Sequence, residues 1–321
     1  MLALDVQTGT GQIIPMMLRP SALCVMLICA GAGAGCRGNE RGGADSTQVL
    51  PPVFPSGPLN TGWNPEAGPL MIVSSGGSDT VGVVLPEATD STIGMLEKLA
   101  PPVAGFAFDL FGRGGRTASA VAASPIVQAD TNQECDTWPM ARLRSVPARG
   151  NWRVGFVTGR VQPVQLDSIE AMSGADSAAL AVSLARTAAT LVGVSDPTFK
   201  GLPFRVRSAF TFRIDTVDVV VADIVRTVNE EANPRVEHLL LVGERPHSST
   251  GQFDVGYFSR TAGAEEATQA TEILAVVKIG SAKEPAVVVN LEYDDGGKLG
   301  LIERGADGKW HATWKSAYTG C

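Results

Sequence analysis

Histidine is scarce in this chain: 321 residues contain three, His238, His247 and His311. That leaves few parts for the hydrolase and metal-site designs that rely on imidazole. No H-E-x-x-H pair, S-x-x-K pair, G-x-S-x-G elbow or Walker A run occurs, and no G-x-G-x-x-G follows a strand-like segment. No cofactor is therefore expected. Charged residues make up 18% of the chain, with a net charge of −7. That balance argues against nucleic acid, whose phosphates demand a basic surface, and offers no polybasic patch to a membrane. No period of 20–50 residues marks a repeat array. The apolar run Ala22–Ala30 falls short of the roughly 20 residues that cross a bilayer as a helix.

What the chain does have begins at its N-terminus. Met16 to Cys36, MMLRPSALCVMLICAGAGAGC, places Arg19 before that apolar run and the small residues Gly31–Gly35 after it. This is the charged, apolar and small-residue order of an export signal. The segment resembles a bacterial lipoprotein signal, in which small residues, here Ala34 and Gly35, precede the cysteine that is acylated, here Cys36. The resemblance implies a membrane partner held through an N-terminal acyl anchor. Cleavage after Ala32 or Ala34, releasing a soluble exported protein, is the alternative. Residues 1–15 carry Asp5 and no basic residue, and read as a mis-assigned start ahead of Met16 or Met17.

Of five cysteines, Cys24 and Cys29 fall in the segment that would be removed. With Cys36 acylated, Cys135 and Cys321 remain as an even pair in an oxidising compartment, and we expect them to be bridged. So long a loop is worth up to about 5 kcal/mol in the chain-entropy model. Two free thiols are the alternative.

Residues 37–69 are rich in proline and glycine and read as a tether. From Leu70 the texture changes to short apolar runs broken by turn residues, a β-rich N-terminal lobe over 70–165. An α+β C-terminal lobe follows over 166–321, and a single large sandwich is the alternative. One helix is expected near 175–192, with Ser173 and Asp176 at its start and Leu180, Leu184 and Leu191 along one face. In the strand that follows, Val206, Phe210, Phe212 and Ile214 alternate with Arg205, Arg207, Thr211 and Arg213. A three-stranded meander ends the chain, turning at Asp294-Asp295-Gly296-Gly297 and at Asp307-Gly308. Its last strand should set Trp310, Ala312 and Trp314 on one side, with the tryptophans in the core. The fold class is α+β, mainly antiparallel sheet.

The meander, KEPAVVVNLEY followed by ADGKWHATW, resembles the strand-turn-strand endings of FG-GAP-like or VCBS-like repeats over residues 284–316. Such repeats carry an Asp-rich calcium loop. This chain has no D-x-D-G-D-G run, so no site residues are carried over.

Few residues invite chemistry. His238 lies in the apolar run VEHLLLVG beside Glu237 and reads as a strand histidine. His247 reads as an exposed loop residue. Carboxylate doublets occur at Glu230-Glu231, Glu265-Glu266 and Asp294-Asp295. Neighbours in a strand point to opposite faces, so no doublet forms a catalytic dyad alone, though members of two doublets can converge. Gly112-Arg113-Gly114-Gly115 reads as a turn, with an anion cradle as the sharper alternative. The expected function is an exported, lipid-anchored envelope protein with a binding or structural role and an envelope protein as partner. An envelope hydrolase with dispersed acidic residues is one alternative. A small-molecule-binding protein with a cleft lined by Trp138 or Trp152 is the other.

Overall fold

The structure, a computed structural model, describes residues 65–68, 70–74, 79–85, 87, 103–123, 138–144, 151–192, 197–229, 232–281 and 284–320. All lie in one compact unit, Phe54–Cys321. The export signal, Cys36, Cys135, Cys321 and the Glu230-Glu231 doublet lie outside the described residues. The strand pairs are antiparallel and one α-helix accompanies them among the described residues, so the fold is α+β and mainly antiparallel.

The first six strands close into a small barrel: β1 (Met71–Ser74), β2 (Thr80–Val83), β3 (Ala107–Gly112), β4 (Gly115–Ala122), β5 (Met140–Arg144) and β6 (Val154–Val157). Their order is β1-β2-β5-β4-β3-β6, and β6 pairs back onto β1. Alternate residues fill its interior, among them Ile72, Val81, Val83, Phe108, Leu110 and Leu143. Gly155 faces the same interior, where a Cβ would lie 2.7 Å from Ile72 Cγ1 and 2.9 Å from Leu110 Cδ2. Only glycine fits there.

The rest of the chain forms two stacked sheets. The central sheet, in order β16-β15-β14-β13-β7, takes β7 (Val161–Val164) from the end of the 70–165 segment. Beside it run β13 (Ala270–Ile279) and the meander β14 (Pro285–Tyr293), β15 (Gly296–Arg304) and β16 (Trp310–Lys315). A short β17 (Thr319–Gly320) also pairs with β15. The outer sheet, in order β12-β11-β10-β9-β8, contains β8 (Asp167–Ser168), β9 (Arg205–Ile214) and β10 (Val217–Val228), then β11 (Arg235–Pro246) and β12 (Asp254–Ala264). Its far face carries the helix α1 (Gly174–Val192).

The run LLLVG in β11 is apolar at every position because β11 is buried on both faces. Leu240 and Val242 join Val219 and Val221 of β10 against the central sheet. Leu239 and Leu241 join Val220, Ala222 and Ile224 under α1. The layers thus run helix, outer sheet, central sheet, barrel. The helix begins where the sequence indicates: the Asp176 amide donates to Ser173 Oγ at 3.2 Å. Leu184 and Ala188 are buried, with Leu180 and Leu191 packed beside them.

β-Bulges in β9 and β16 change the faces that alternation predicts. In β9, Ser208 pairs with Asp223 but Val206 pairs with Ile224, so Arg207 is the extra residue. Val206 therefore packs with α1, while Phe210, Phe212 and Ile214 face the central sheet. In β16 the register slips at Thr313, between Ala312 and Trp314. Trp310 enters the interior between the two sheets, Trp314 enters that between the central sheet and the barrel, and Ala312 is exposed. Both tryptophans are core, as expected, but not on one side.

The first meander turn is shorter than the DDGG motif suggests. Tyr293 already pairs with Gly296, leaving Asp294-Asp295 as the turn. Gly296 belongs to β15, where it pairs with Gly320 and lies too close to the Thr319 carbonyl for a side chain. The end of the proline-rich segment is ordered: Pro65–Ala67 makes a 3-10 turn with Ala67 fully buried. Glu66 there accepts from the Ser281 amide at 2.8 Å.

Arg113, in the tight turn between β3 and β4, is committed to the protein. Its Nε donates to the Ile273 carbonyl at 2.8 Å and its Nη2 to Glu272 Oε1 at 2.8 Å, with the guanidinium 5.0 Å from the Phe210 ring centre. It latches the barrel to β13 and does not point from an anion cradle.

Candidate functional site

At the end of the outer sheet where β10 turns into β11, the two sheets part and leave an open cleft of about 640 Å³. The outer sheet lines it with Arg207, Val225, Thr227, Pro234, Val236 and His238. His238 follows Val242 and Leu240 on the sandwich-facing side of β11, at the point where that apolar row ends. Glu265 and Glu266 come from the 3-10 turn Glu265–Ala267 between β12 and β13. Glu292, Tyr293 and Asp294 come from the end of β14 and its turn.

Two of the three carboxylate doublets flagged in the sequence thus send members to one cleft. Both members of Glu265-Glu266 reach it from their 3-10 turn, and Asp294 reaches it from the hairpin turn. Their meeting depends on β13 and β14 pairing so that Ala270 stands opposite Glu292. That long-range register is invisible to any local motif.

The inner wall is a buried charge network. Asp223 is fully buried. Its Oδ2 accepts from Arg207 Nη1 at 3.0 Å, and its Oδ1 lies 3.2 Å from His238 Nδ1. Arg207 also reaches Glu292 Oε2 at 3.3 Å, tying the outer sheet to the central one. Because Arg207 is the bulged residue of β9, the register slip is what aims it here. His238 is 9% exposed. Nε2 has no hydrogen-bond partner among the described residues.

An imidazole oriented by a buried carboxylate is half of an acid–base relay. Two of the hydroxyls in the lining are engaged within the protein, while that of Thr227 is exposed in the cleft. Thr268 donates to the Ala264 carbonyl at 2.6 Å, and Tyr293 to Gln269 Oε1 at 3.1 Å. Among the described residues, no three His, Cys, Asp or Glu side chains gather closely enough to hold a metal ion. The cleft sets one imidazole at depth and carboxylates around the opening.

A second groove, of about 750 Å³, lies at the opposite end of the outer sheet, beside the start of α1. Arg213 and Arg245 each stand directly opposite Asp218 there. Arg213 Nε donates to Asp218 at 3.1 Å, and His247 Nδ1 lies 3.0 Å from the same oxygen. Burial pushes the Asp218 carboxyl up, but the hydrogen bonds from His247 and Arg213 outweigh it and hold it below its ordinary value. His247 is the exposed loop residue expected, and it is paired with Asp218. His311 is exposed, 3.9 Å from Asp307.

Trp138 and Trp152 line neither cleft. Both are core, Trp138 between barrel and central sheet and Trp152 inside the barrel. The cleft lined by Trp138 or Trp152, one of the sequence alternatives, is not among the two described, and the first of these is bordered by carboxylates. No protein-family model, curated protein or solved structure matches this chain.

Proposed function

We propose that the protein is an exported, lipid-anchored component of the cell envelope that binds a ligand and does not transform it. The address rests on the export-signal layout of Met16–Cys36, with Cys36 as the acylated residue. Cys135 and Cys321 would be bridged in the same compartment. The binding role rests on one observation: the cleft between the sheets is walled by His238, whose Nδ1 lies 3.2 Å from the fully buried Asp223. Fixing such a side chain from behind is how a protein orders a recognition group in advance.

The hydrolase reading draws on the same Asp–His pair. It needs a hydroxyl to activate: Thr268 and Tyr293 are already engaged, which leaves Thr227 as its candidate.

Intact-mass spectrometry of the full chain expressed in a bacterial host tests the address. A mature chain beginning at Cys36 with added acyl mass supports it, and retention of Met1 or Met17 overturns it. A gain of about 2 Da on reduction reports one disulfide. A thermal-shift screen of small charged and neutral solutes, with His238→Ala alongside, tests the binding role.

A further inference from the structure

We propose that β12 is the seam of a dimer. Two copies of this chain join their outer sheets edge to edge, β12 antiparallel to β12, with Phe258 of each copy opposite Arg260 of the other. The surface is separate from the cleft and does not depend on what the cleft binds.

A free strand edge carries unpaired N–H and C=O groups that recruit a further strand, and native proteins blunt such edges by shortness, proline, bulges or charge. Among the described residues, three of the four ends of the two sheets are blunted in these ways. The strand β8 has two residues. The strand β7 has four, with Pro163 among them. At the other end of the central sheet, β16 has six, slips at Thr313 and exposes His311 and Lys315. By contrast β12 has 11 residues, no proline and two charged side chains, Asp254 and Arg260. Its one slip, at Gly256, leaves 257–264 in unbroken register with 235–242 of β11.

The side chains along this edge say what fits it. Phe258 and Arg260 stand opposite Leu241 and Leu239, so both lie on the helix side of the sheet. The helix itself packs chiefly over β9 and β10, towards the other end. Phe258 is left 48% exposed; of the other large apolar side chains as open as this, Val121, Met172 and Val182, none is aromatic or lies on a sheet edge. In a two-fold antiparallel pair centred on Ser259, Phe258 of each copy faces the Arg260 guanidinium of the other, and the contact is made twice. Glu237 anchors that guanidinium from β11, so it is ordered before a second copy arrives. Centring the pair on Arg260 would set two like charges opposite each other. Centring it on Phe258 would carry the pairing into the bulge at Gly256. The edge is thus complementary to itself in one register, and a second copy is its occupant.

Sedimentation velocity of the purified full chain in density-matched detergent, from about 1 to about 100 μM, tests this. A monomer–dimer equilibrium is expected across that range, the strength of a small edge interface. Phe258→Arg sets a cation opposite Arg260 and should weaken the dimer by about tenfold or more. Phe258→Glu sets an anion there and should keep it. The ring is exposed, so neither change touches the core. Hydrogen exchange of the wild type should also show β12 amides gaining protection as concentration rises. Should either variant unfold, that measurement decides alone. A monomer throughout the range overturns the proposal, as does a dimer indifferent to Phe258→Arg. Equal loss in the two variants overturns the register. Protection of β12 that is the same at every concentration means that another segment of the chain covers the edge, and overturns the dimer.

Discussion

Glu237 and His238 are neighbours in β11, yet they serve separate charge networks on opposite faces of the outer sheet. His238 meets Asp223 beside the cleft. Glu237 turns to the helix side, where Arg226, directly opposite it on β10, and Arg260 of β12 both bond to it. Arg226 is nearly buried, lies over the Phe199 and Phe204 rings, and donates to the Phe199 carbonyl at 3.1 Å. Glu237 is fully buried.

Removing Glu237 leaves Arg226 as a buried, uncompensated cation. Glu237→Ala is expected to cost about 3–5 kcal/mol, and Arg226→Met/Glu237→Met much less, because the double change removes both charges. Urea denaturation of the two variants, read by circular dichroism, checks the order.

The cap of α1 is a smaller lever. Ser173→Ala removes the acceptor for the Asp176 amide and should cost about 1 kcal/mol, or about 2–4 °C in Tm for a unit of this size. Ser173→Asp should recover most of it.

Gly256 is the bulged residue of β12, and a Cβ there would lie 2.7 Å from Trp310 Cδ1. Gly256→Ala forces the indole to shift and should cost about 1–3 kcal/mol. Trp310 Nε1 donates to Glu244 at 2.6 Å, so the same variant should shift tryptophan emission to the red as that bond opens to water.

These devices mark the limit of what the sequence discloses. Helix, hairpins and meander are legible because each rests on local chemistry: Ser173 as a cap, Asp307-Gly308 as a turn, alternation along β9. The faces of Val206 and Trp314 are not, since one bulged residue reverses every side chain beyond it and carries no compositional mark. The site was legible in its parts, His238 and the doublets at 265–266 and 294–295. Its assembly was not, because Asp223 sits inside an apolar run and Arg207 points inward through the bulge.

Asp218 gives a pH test with a defined sign. Its folded value lies below the ordinary 3.8, so its pairing stabilises the fold above that pH. The contribution disappears as pH falls through the lowered folded value. Thermal unfolding between pH 5 and pH 2.5 should therefore decline less steeply in Asp218→Asn than in the wild type. Equal slopes would show that the Arg213 and His247 contacts do not persist in solution.

The slip at Thr313 reaches beyond strand geometry. Because β16 drives one indole into each of two interiors, neither interior can loosen while the other keeps its wedge. The barrel and the sandwich should thus melt together as one cooperative body, with β16 as the mechanical coupling between them.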